Sequence, residues 1–440
     1  MRPIGIGLLG LGNVGAGVVQ LLRDNADGIA QRVGAPVQVA RVAVRALDKP
    51  RPVDVPPHLV TTDVTAVLDD PAVDVVVELI GGVEPARSHV LGAIARGKPV
   101  VTANKALLAA SGDAIFAAAA ARRVHVGYEA SVCGGVPVLR ALRDGLAADR
   151  IERLYGIVNG TSNYILTRMT DDGRPFDDVL REAQAHGYAE ADPTLDVDGW
   201  DAAHKLCVLA MLCFGVRPRP ESLLVEGLRN VQPVDIAYAA RFGLVIKPLV
   251  LGRDHGDAVE LRVHPTMIPR RFLLASVGDV FNAIYVSSQA LGPSMYYGRG
   301  AGMMPTAVGV VSDVIDAARE VLGVAAGVPR RIEQRPARDR PLLPAGDLVS
   351  RYYLRFGVVD RPGVLAQLAG ILGELDISIR EVVQDVPEGP GRSSAGNGEH
   401  SARIVMTTHA ARERDVQTAL GHINALRGLV AESNLIRILD

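Results

Sequence analysis

Aromatic residues make up only 4% of this chain, tryptophan occurs once, and there are three cysteines in 440 residues. Cys133, Cys207 and Cys213 are odd in number and follow no framework spacing. That excludes a disulfide-stapled secreted scaffold and points to a reducing cytoplasm. A dominant charge sign is also missing. The formal net charge of −2 lacks the basic excess that a general nucleic-acid binder carries. No apolar run approaches the ~20 residues that span a bilayer. The opening MRPIGIGLLG passes straight into a strand and glycines and does not read as a secretion signal. Neither nucleic acid nor membrane is therefore an expected partner. What the chain has in quantity is small and aliphatic residues, 48% hydrophobic with 46 glycines. Its length suits about three domains, and its texture suits α/β architecture with close helix–sheet packing.

Residues 4–9 read as a short buried strand, feeding GLGNVG at 10–15 and then the apolar run AGVVQLL. Strand, GxGxxG and helix in that order form a dinucleotide-binding fingerprint. Gly10 permits the tight turn, Gly12 lets backbone approach a pyrophosphate, and Gly15 lets the helix pack on the strand. Asn13 and Val14 complete the loop, and the helix start offers amides to phosphate. A second strand over 37–44 ends at Arg45, where an NAD site would carry a carboxylate for the ribose 2′-hydroxyl. A cation here, with Lys49 and Arg51 nearby, suits a 2′-phosphate, so NADP is favoured and NAD is the alternative. Strands at 74–80, 99–102 and 124–128 alternate with helices at 85–96 and from 105 to about 121, which implies a parallel, doubly wound Rossmann-type sheet over 1–128. Ligands bind beyond the carboxyl ends of such strands. Gly81, Gly82, Thr102 and Lys105 fall there.

From Glu129 to residue 330 the pattern becomes α+β. EASVCGGVPVLRAL passes from a small-residue loop into a helix, and a strand over 150–159 leads into NGTSNYIL. Strands are expected at 245–251, 259–265 and within 277–290. GPSMYYGRGAGMMPTA, 292–307, reads as a glycine-dense loop before a helix from about 307 to 321, which can pack back on the nucleotide-binding unit. The chemistry concentrates in GYAEADPTLDVDGWDAAHK, 187–205, with Glu190, Asp192, Asp196, Asp198 and Asp201 and a single lysine, Lys205. Asp198 reads as the N-cap of a helix running through DAAHKLCVLAML. Asp201 and Lys205, four apart, share one face. The apolar run from Leu206 puts Lys205 at the edge of a core, where a lysine beside a carboxylate can be tuned as a proton donor. An ordinary surface pair has the same spacing, so the flanking motifs decide.

The stretch 331–349 is rich in proline and arginine and reads as a linker. Residues 350–440 read β-α-β-β-α-β, a ferredoxin-like split βαβ module. Its own alternating strands and amphipathic helices predict a separate small core with few contacts across the linker. PEGPGRSSAGNGEH, 387–400, reads as a flexible hairpin loop.

Together GLGNVG, TANK at 102–105, NGTSNYI, the 187–205 motif, GRGAGMMPTA and a terminal module with DRPG at 360–363 resemble the homoserine dehydrogenases that carry a C-terminal ACT domain, end to end. The resemblance implies a Rossmann NAD(P)-binding domain (1–128), a catalytic and dimerisation domain (129–330), the linker, and an ACT-like regulatory domain (350–440). It implies reversible NAD(P)-dependent reduction of L-aspartate 4-semialdehyde to L-homoserine, on the route to threonine, methionine and isoleucine, in a homodimer or homotetramer. By motif, Lys205 is the proton donor, Glu190 binds the substrate amino group, and Asp196 and Asp201 help build the site. Lys105 contacts cofactor and substrate, and Gly187 and Gly302 lie by the nicotinamide. Glu129, Val132, Gly134 and Val136 would hold a monovalent cation, sodium, through one carboxylate and backbone carbonyls. An amino-acid effector, threonine first, would act through the ACT module. The residue chemistry agrees: hydride attack on an aldehyde leaves an alkoxide that needs a proton and a nearby cation, and an acidic pocket suits an α-ammonium.

Two other readings use the same chain. A thiol-dependent semialdehyde dehydrogenase would use Cys133 as nucleophile and need a base beside it, for which His125 is the histidine close in sequence. Cys207 and Cys213 lie on the apolar helix and read as core. A non-catalytic amino-acid sensor would need only the terminal module, and the intact Lys205 and GLGNVG argue against it.

Overall fold

The computed structural model describes residues 2–327, 340–385 and 401–439. Its first unit runs β1 (Ile4–Leu9), α1 (Asn13–Asp24), α2 (Ala26–Val33), β2 (Val37–Ala43), β3 (Val60–Thr61), α3 (Val64–Leu68), β4 (Val75–Glu78), α4 (Ala86–Ala95), β5 (Val100–Thr102), α5 (Lys105–Arg122) and β6 (Val126–Gly127). Six strands form one parallel sheet in the order β3-β2-β1-β4-β5-β6. Chain direction across the sheet reverses between β1 and β4, the crevice where such sheets bind ligands. GLGNVG sits at that switch point. Gly10 has φ +101°, and a Cβ there would lie 2.7 Å from the carbonyl oxygen of Leu79. A Cβ on Gly15 would collide with the carbonyl of Gly10, so both glycines are demanded by close backbone approach.

The middle unit follows as α6 (Val138–Arg140), β7 (Ile151–Ile157), α7 (Gly160–Asp172), α8 (Phe176–Ala185), α9 (Thr194–Val197), α10 (Trp200–Phe214), β8 (Leu224–Val225), α11 (Pro233–Arg241), β9 (Leu244–Asp254), β10 (Val259–Pro269), β11 (Phe281–Ser288), β12 (Gly292–Arg299) and α12 (Met303–Ala325). Helix α10 is built from good helix formers and buries Leu206, Leu209 and Ala210 completely. Two sequence expectations are corrected here. Asp198 is not the N-cap of α10: Gly199 is, in the left-handed region at φ 87°, and the Asp198 carboxylate instead accepts from Arg229 Nε at 2.6 Å. A nearby guanidinium outcompetes the helix amides for that side chain. The glycine-dense loop is likewise shorter than its composition suggested. Residues 292–299 form β12, paired antiparallel with β11, and Tyr297 stacks on Phe281 with ring centroids 5.2 Å apart. Cross-strand aromatic packing overrides the glycines, and the helix starts at Met303. Ala307, Val310, Val314 and Ala317 of α12 join Ile4, Ile6 and Leu8 of β1 in one core cluster, so a late helix completes the core of the first unit.

The last unit comprises β13 (Val349–Val359), α13 (Val364–Glu374), β14 (Ile379–Asp385), β15 (Ser401–Thr408), β16 (Ala411–Arg412), α14 (Glu413–Asn424) and β17 (Leu429–Ile438). The order β17-β13-β15-β14 is the ferredoxin-like one. The last unit has the separate small core that was expected, with Leu354, Phe356, Leu368 and Ile404 in one cluster, but the expectation of few contacts to the rest of the chain is not met. β17 pairs parallel with β10 through Thr266↔Arg437 and Met267↔Ile438, so the middle and last units share one eleven-stranded sheet. Tyr353, Val405, Ile436 and Ile438 pack in one cluster with Leu228, Tyr238, Ile246 and Met267. The side chain of Arg437, 1% exposed, bridges Glu226 of the middle unit and Glu413 of the last. Arg355 and Tyr353 both reach the buried carboxylate of Asp235. Two strand edges that would otherwise be unpaired satisfy each other. Of the expected linker, 340–349 is described and pinned: Leu343 donates to the carbonyl of Val259, and Arg340 pairs with Asp254 at 2.7 Å. The rest of that linker, 331–339, and the expected hairpin loop at 387–400 lie outside the described residues. Among the described residues no helix is long and apolar enough to cross a membrane.

Candidate active site

Three elements meet at Lys205. Helix α10 carries Asp201 and Lys205 one turn apart, the end of β7 brings Val158 and Asn159, and the start of α5 brings Lys105. Lys205 Nζ donates to Asp201 Oδ2 at 2.6 Å and to the carbonyl of Val158 at 2.7 Å, leaving one of its three donors for another acceptor. The other oxygen of Asp201, Oδ1, lies 3.1 Å from Lys105 Nζ. Asn159 Nδ2 donates to Asp201 Oδ2 at 2.8 Å and to Asp196 Oδ1 at 2.7 Å, while its Oδ1 caps α7 at the amide of Ser162.

Burial works against the charge on Lys205, but the Asp201 carboxylate outweighs it and holds the ammonium above its ordinary pKa. Burial likewise opposes the charge on Asp201, and the two lysines overcome it, so Asp201 sits well below the usual carboxylate range. Asp196 goes the other way: burial raises it, the Asn159 hydrogen bond only partly offsets that, and Asp201 adds to the rise. One carboxylate is therefore firmly ionised and its neighbour is held nearer neutrality.

Beside this cluster stand the ends of β4 and β5. Glu78 is fully buried, and its carboxylate accepts from Thr102 Oγ1 at 2.6 Å, from the Ile80 amide at 2.7 Å and from the Gly81 amide at 3.3 Å. Asn104 Nδ2 donates to the carbonyl of Gly82 at 2.6 Å, and its Oδ1 caps α5. Glu78 thus ties the loop of Gly81 to Thr102 and to the start of the helix that carries Lys105. Sequence reasoning passed over Glu78 and Asn159. The signal for Glu78 was a carboxylate inside the otherwise apolar run DVVVELI. For Asn159 it was a capping residue one motif away from two aspartates.

The remaining expected residues are distributed as follows. Gly12, Asn13 and Val14 open α1 at the switch point. Arg45 is exposed just past the carboxyl end of β2. Gly302, at φ 124°, precedes α12. The loop 129–136 packs on that same turn, because a Cβ on Gly134 would meet Thr306 and one on Gly135 would meet Arg299 and Pro305. Gly187 and Glu190 lie on the exposed turn after α8. Glu190 is not joined to Lys205, Asp201 or Asp196 by any hydrogen bond or ion pair among the described residues.

Glu129 is buried, and its two oxygens accept the amides of Leu139 and Arg140 at 3.0 and 2.7 Å. Burial and the neighbouring Asp313 carboxylate push its pKa up to about 7. Arg140 reaches Asp313 at 3.3 Å, and a small cation would add to the positive charge beside these two buried carboxylates. A set with one carboxylate and backbone carbonyls of Val132, Gly134 and Val136 is of the hard-oxygen kind that takes an alkali ion. The Val136 carbonyl already accepts from Val138. Among the described residues no group of three or more His, Cys, Asp or Glu is placed to bind a metal.

Cys133 is buried, and burial pushes its thiol above the ordinary value; Asn282 Nδ2 donates to its Sγ at 3.3 Å. His125 is occupied elsewhere, with Nδ1 3.7 Å from Glu320. This is not an activated nucleophile. Cys207 and Cys213 are buried on α10 as core residues.

Comparison with known proteins finds relatives over the whole length of the chain. Residues 10–129 match the NAD-binding domain family of homoserine dehydrogenase, 137–315 match the homoserine dehydrogenase family, and 352–428 match the ACT domain family. The chain is 45% identical to the homoserine dehydrogenase of Synechocystis sp., covering 99% of both chains. It is 44% identical to that of Pseudomonas aeruginosa, covering 100% of this chain and 99% of the relative. The solved structure of a homoserine dehydrogenase from Thiobacillus denitrificans superposes with a TM-score of 0.90 at 45% identity, covering 100% of this chain and 99% of that one.

Proposed function

The chain belongs to the homoserine dehydrogenase family, and we propose that the cluster around Lys205 is where it interconverts L-aspartate 4-semialdehyde and L-homoserine. NADPH, held at the switch point of the first sheet, supplies the hydride. The observation that carries the reading is a partly buried ammonium, Lys205, kept cationic by a carboxylate that a second lysine also touches. Lys205 gives its free proton to the aldehyde oxygen as that oxygen gains negative charge. Asp201 fixes the lysine in place, and Lys105 adds positive charge on the cofactor side. Glu190 and Asp196 receive the α-ammonium of the substrate, with Glu190 reaching the site from the exposed turn it shares with Gly187, and Gly187 and Gly302 would lie by the nicotinamide. Gly10, Gly12, Asn13, Val14, Gly15, Gly81 and Thr102 line the cofactor, and Arg45 reads the 2′-phosphate, so NADP is preferred to NAD. Sodium occupies the loop of Glu129, Val132, Gly134 and Val136 and orders it beside the Gly302 turn. The enzyme works in the cytoplasm as a homodimer or homotetramer, and threonine is its effector through the last unit.

Replacing Lys205 with alanine tests the central role. Turnover should fall by ~10²–10⁴-fold, the usual value of a positioned general acid, while NADPH still binds with near wild-type affinity. A variant that kept more than half of kcat would sink the assignment.

A further inference from the structure

At the seam between the middle and last units lies a pocket of about 420 Å³, open to solvent and lined by the exposed side chains of Arg270, Arg271 and Arg380, within the size range of small-molecule sites. Its lining is unusual in charge. Arg270 and Arg271 follow β10, Arg351 lies on β13 and Arg380 on β14, and among the described lining residues Glu381 alone carries negative charge. Arg380 and Glu381 are loosely paired at 3.7 Å. The side chains of Arg270 and Arg271 form no ion pair among the described residues. The cavity wall also includes Thr407, only 2% exposed, whose hydroxyl has no hydrogen-bond partner. Phe242 and Leu244 supply an apolar side.

Arg270 and Arg271 place two guanidinium groups side by side with no ion pair among the described residues, and an incoming anion offsets their mutual repulsion. Their planar forks match carboxylate and phosphoryl oxygens. A buried hydroxyl without a partner is costly unless a ligand engages it. We propose that this cavity binds a small organic anion with at least two phosphoryl or carboxylate charges, bridging the two units across the shared sheet. The DRPG turn at 360–363 lies beyond the opposite end of β13 from Arg351, so this site is separate from that turn. A free amino acid is a poor fit, since only Glu381 could meet its ammonium.

Full-length enzyme saturated with NADP⁺, which occupies the phosphate-binding loop of the first unit, is titrated by calorimetry with pyrophosphate and with citrate at constant ionic strength. Wild type is expected to bind one probe per chain. Pyrophosphate binding identifies a phosphoryl ligand, citrate binding a carboxylate one, and binding of both identifies the shared anion chemistry. Arg270→Ala/Arg380→Ala should weaken binding by about tenfold per guanidinium removed, with an unchanged melting temperature in the absence of probe and unchanged basal turnover. Thr407→Val should weaken it further. Equal binding by wild type and the double variant, or no binding of either probe by wild type, would overturn the proposal.

Discussion

Arg437→Met is the most direct probe of how the last unit is held. The Arg437 side chain is 1% exposed and makes four charge-assisted contacts, to Glu226 at 2.6 and 2.8 Å and to Glu413 at 2.8 and 2.6 Å. Methionine fills a similar volume without the charge, so cavity formation is a minor part of the effect. Glu226 is 38% exposed and can turn to water once released, whereas Glu413 is only 5% exposed and cannot. The loss therefore falls on Glu413. Breaking a buried pair by removing one partner costs roughly 3–5 kcal/mol, which at about 2–4 °C per kcal/mol lowers Tm by roughly 6–20 °C. The sign of the pH dependence follows from Glu413. In the native chain burial opposes its charge, but the Arg437 hydrogen bonds and charge win and hold its pKa below the ordinary 4.5. Its stabilisation is thus present above the unfolded value and is lost as pH falls through the folded one. In the variant burial is opposed only by the hydrogen bonds from Gln417 and Tyr352, Glu413 takes up a proton at higher pH than in the native chain, and the gap between the two proteins narrows on acidification. Replacing Glu413 as well, by methionine, should recover much of the loss. The assay is thermal melting of the full chain near neutral pH and near pH 4. A drop under about 2 °C at neutral pH, or a gap that widens in acid, would refute the reasoning.

Asp201→Asn removes the carboxylate that outweighs burial at Lys205, so the lysine pKa should fall from its raised position; the alkaline limb of aldehyde reduction should move to lower pH, and an unmoved profile would show that Asp201 does not set the proton donor. Arg45→Glu should raise the KM for NADP far more than that for NAD, since a carboxylate would face the 2′-phosphate in one and a hydroxyl in the other; equal changes would remove Arg45 from that contact. Ending the chain at Leu343 strips β17 from β10 and exposes the core around Met267; aggregation or a broad, early melt is expected, and a soluble product melting like the full chain would mean that the shared sheet contributes little.

What the sequence made legible was local. GLGNVG specifies its own turn, because Gly10 and Gly15 answer to backbone atoms a few residues away or on the adjacent strand. Asp201 and Lys205 could be paired in advance because four residues of helix bring side chains together whatever else the fold does. Apart from the return of α12 onto the first unit, contacts between distant segments were not legible. The pairing of β10 with β17 joins residues more than 160 apart, and nothing in either strand's alternation names its neighbour. Asp198 was misread for a related reason. Its capping propensity is intrinsic, but Arg229, thirty-one residues on, takes the carboxylate, and Gly199 supplies the left-handed turn.

The two carboxylates that meet Asn159 show why the arrangement, more than the composition of the 187–205 motif, determines the chemistry. Asp196 and Asp201 accept from the same amide nitrogen, at 2.7 and 2.8 Å. Only Asp201 has lysines on both oxygens, and its charge persists in spite of burial. Asp196 lacks such a partner and is pushed toward the neutral form by burial and by Asp201 itself. A pair whose environments drive their pKa values apart divides the labour of a site: Asp201 is already committed to the lysines, and Asp196 is the carboxylate that gains most from an incoming cation. An α-ammonium arriving beside Asp196 would supply the charge that its surroundings withhold, which fits a substrate bearing an amino group better than one bearing only anionic groups.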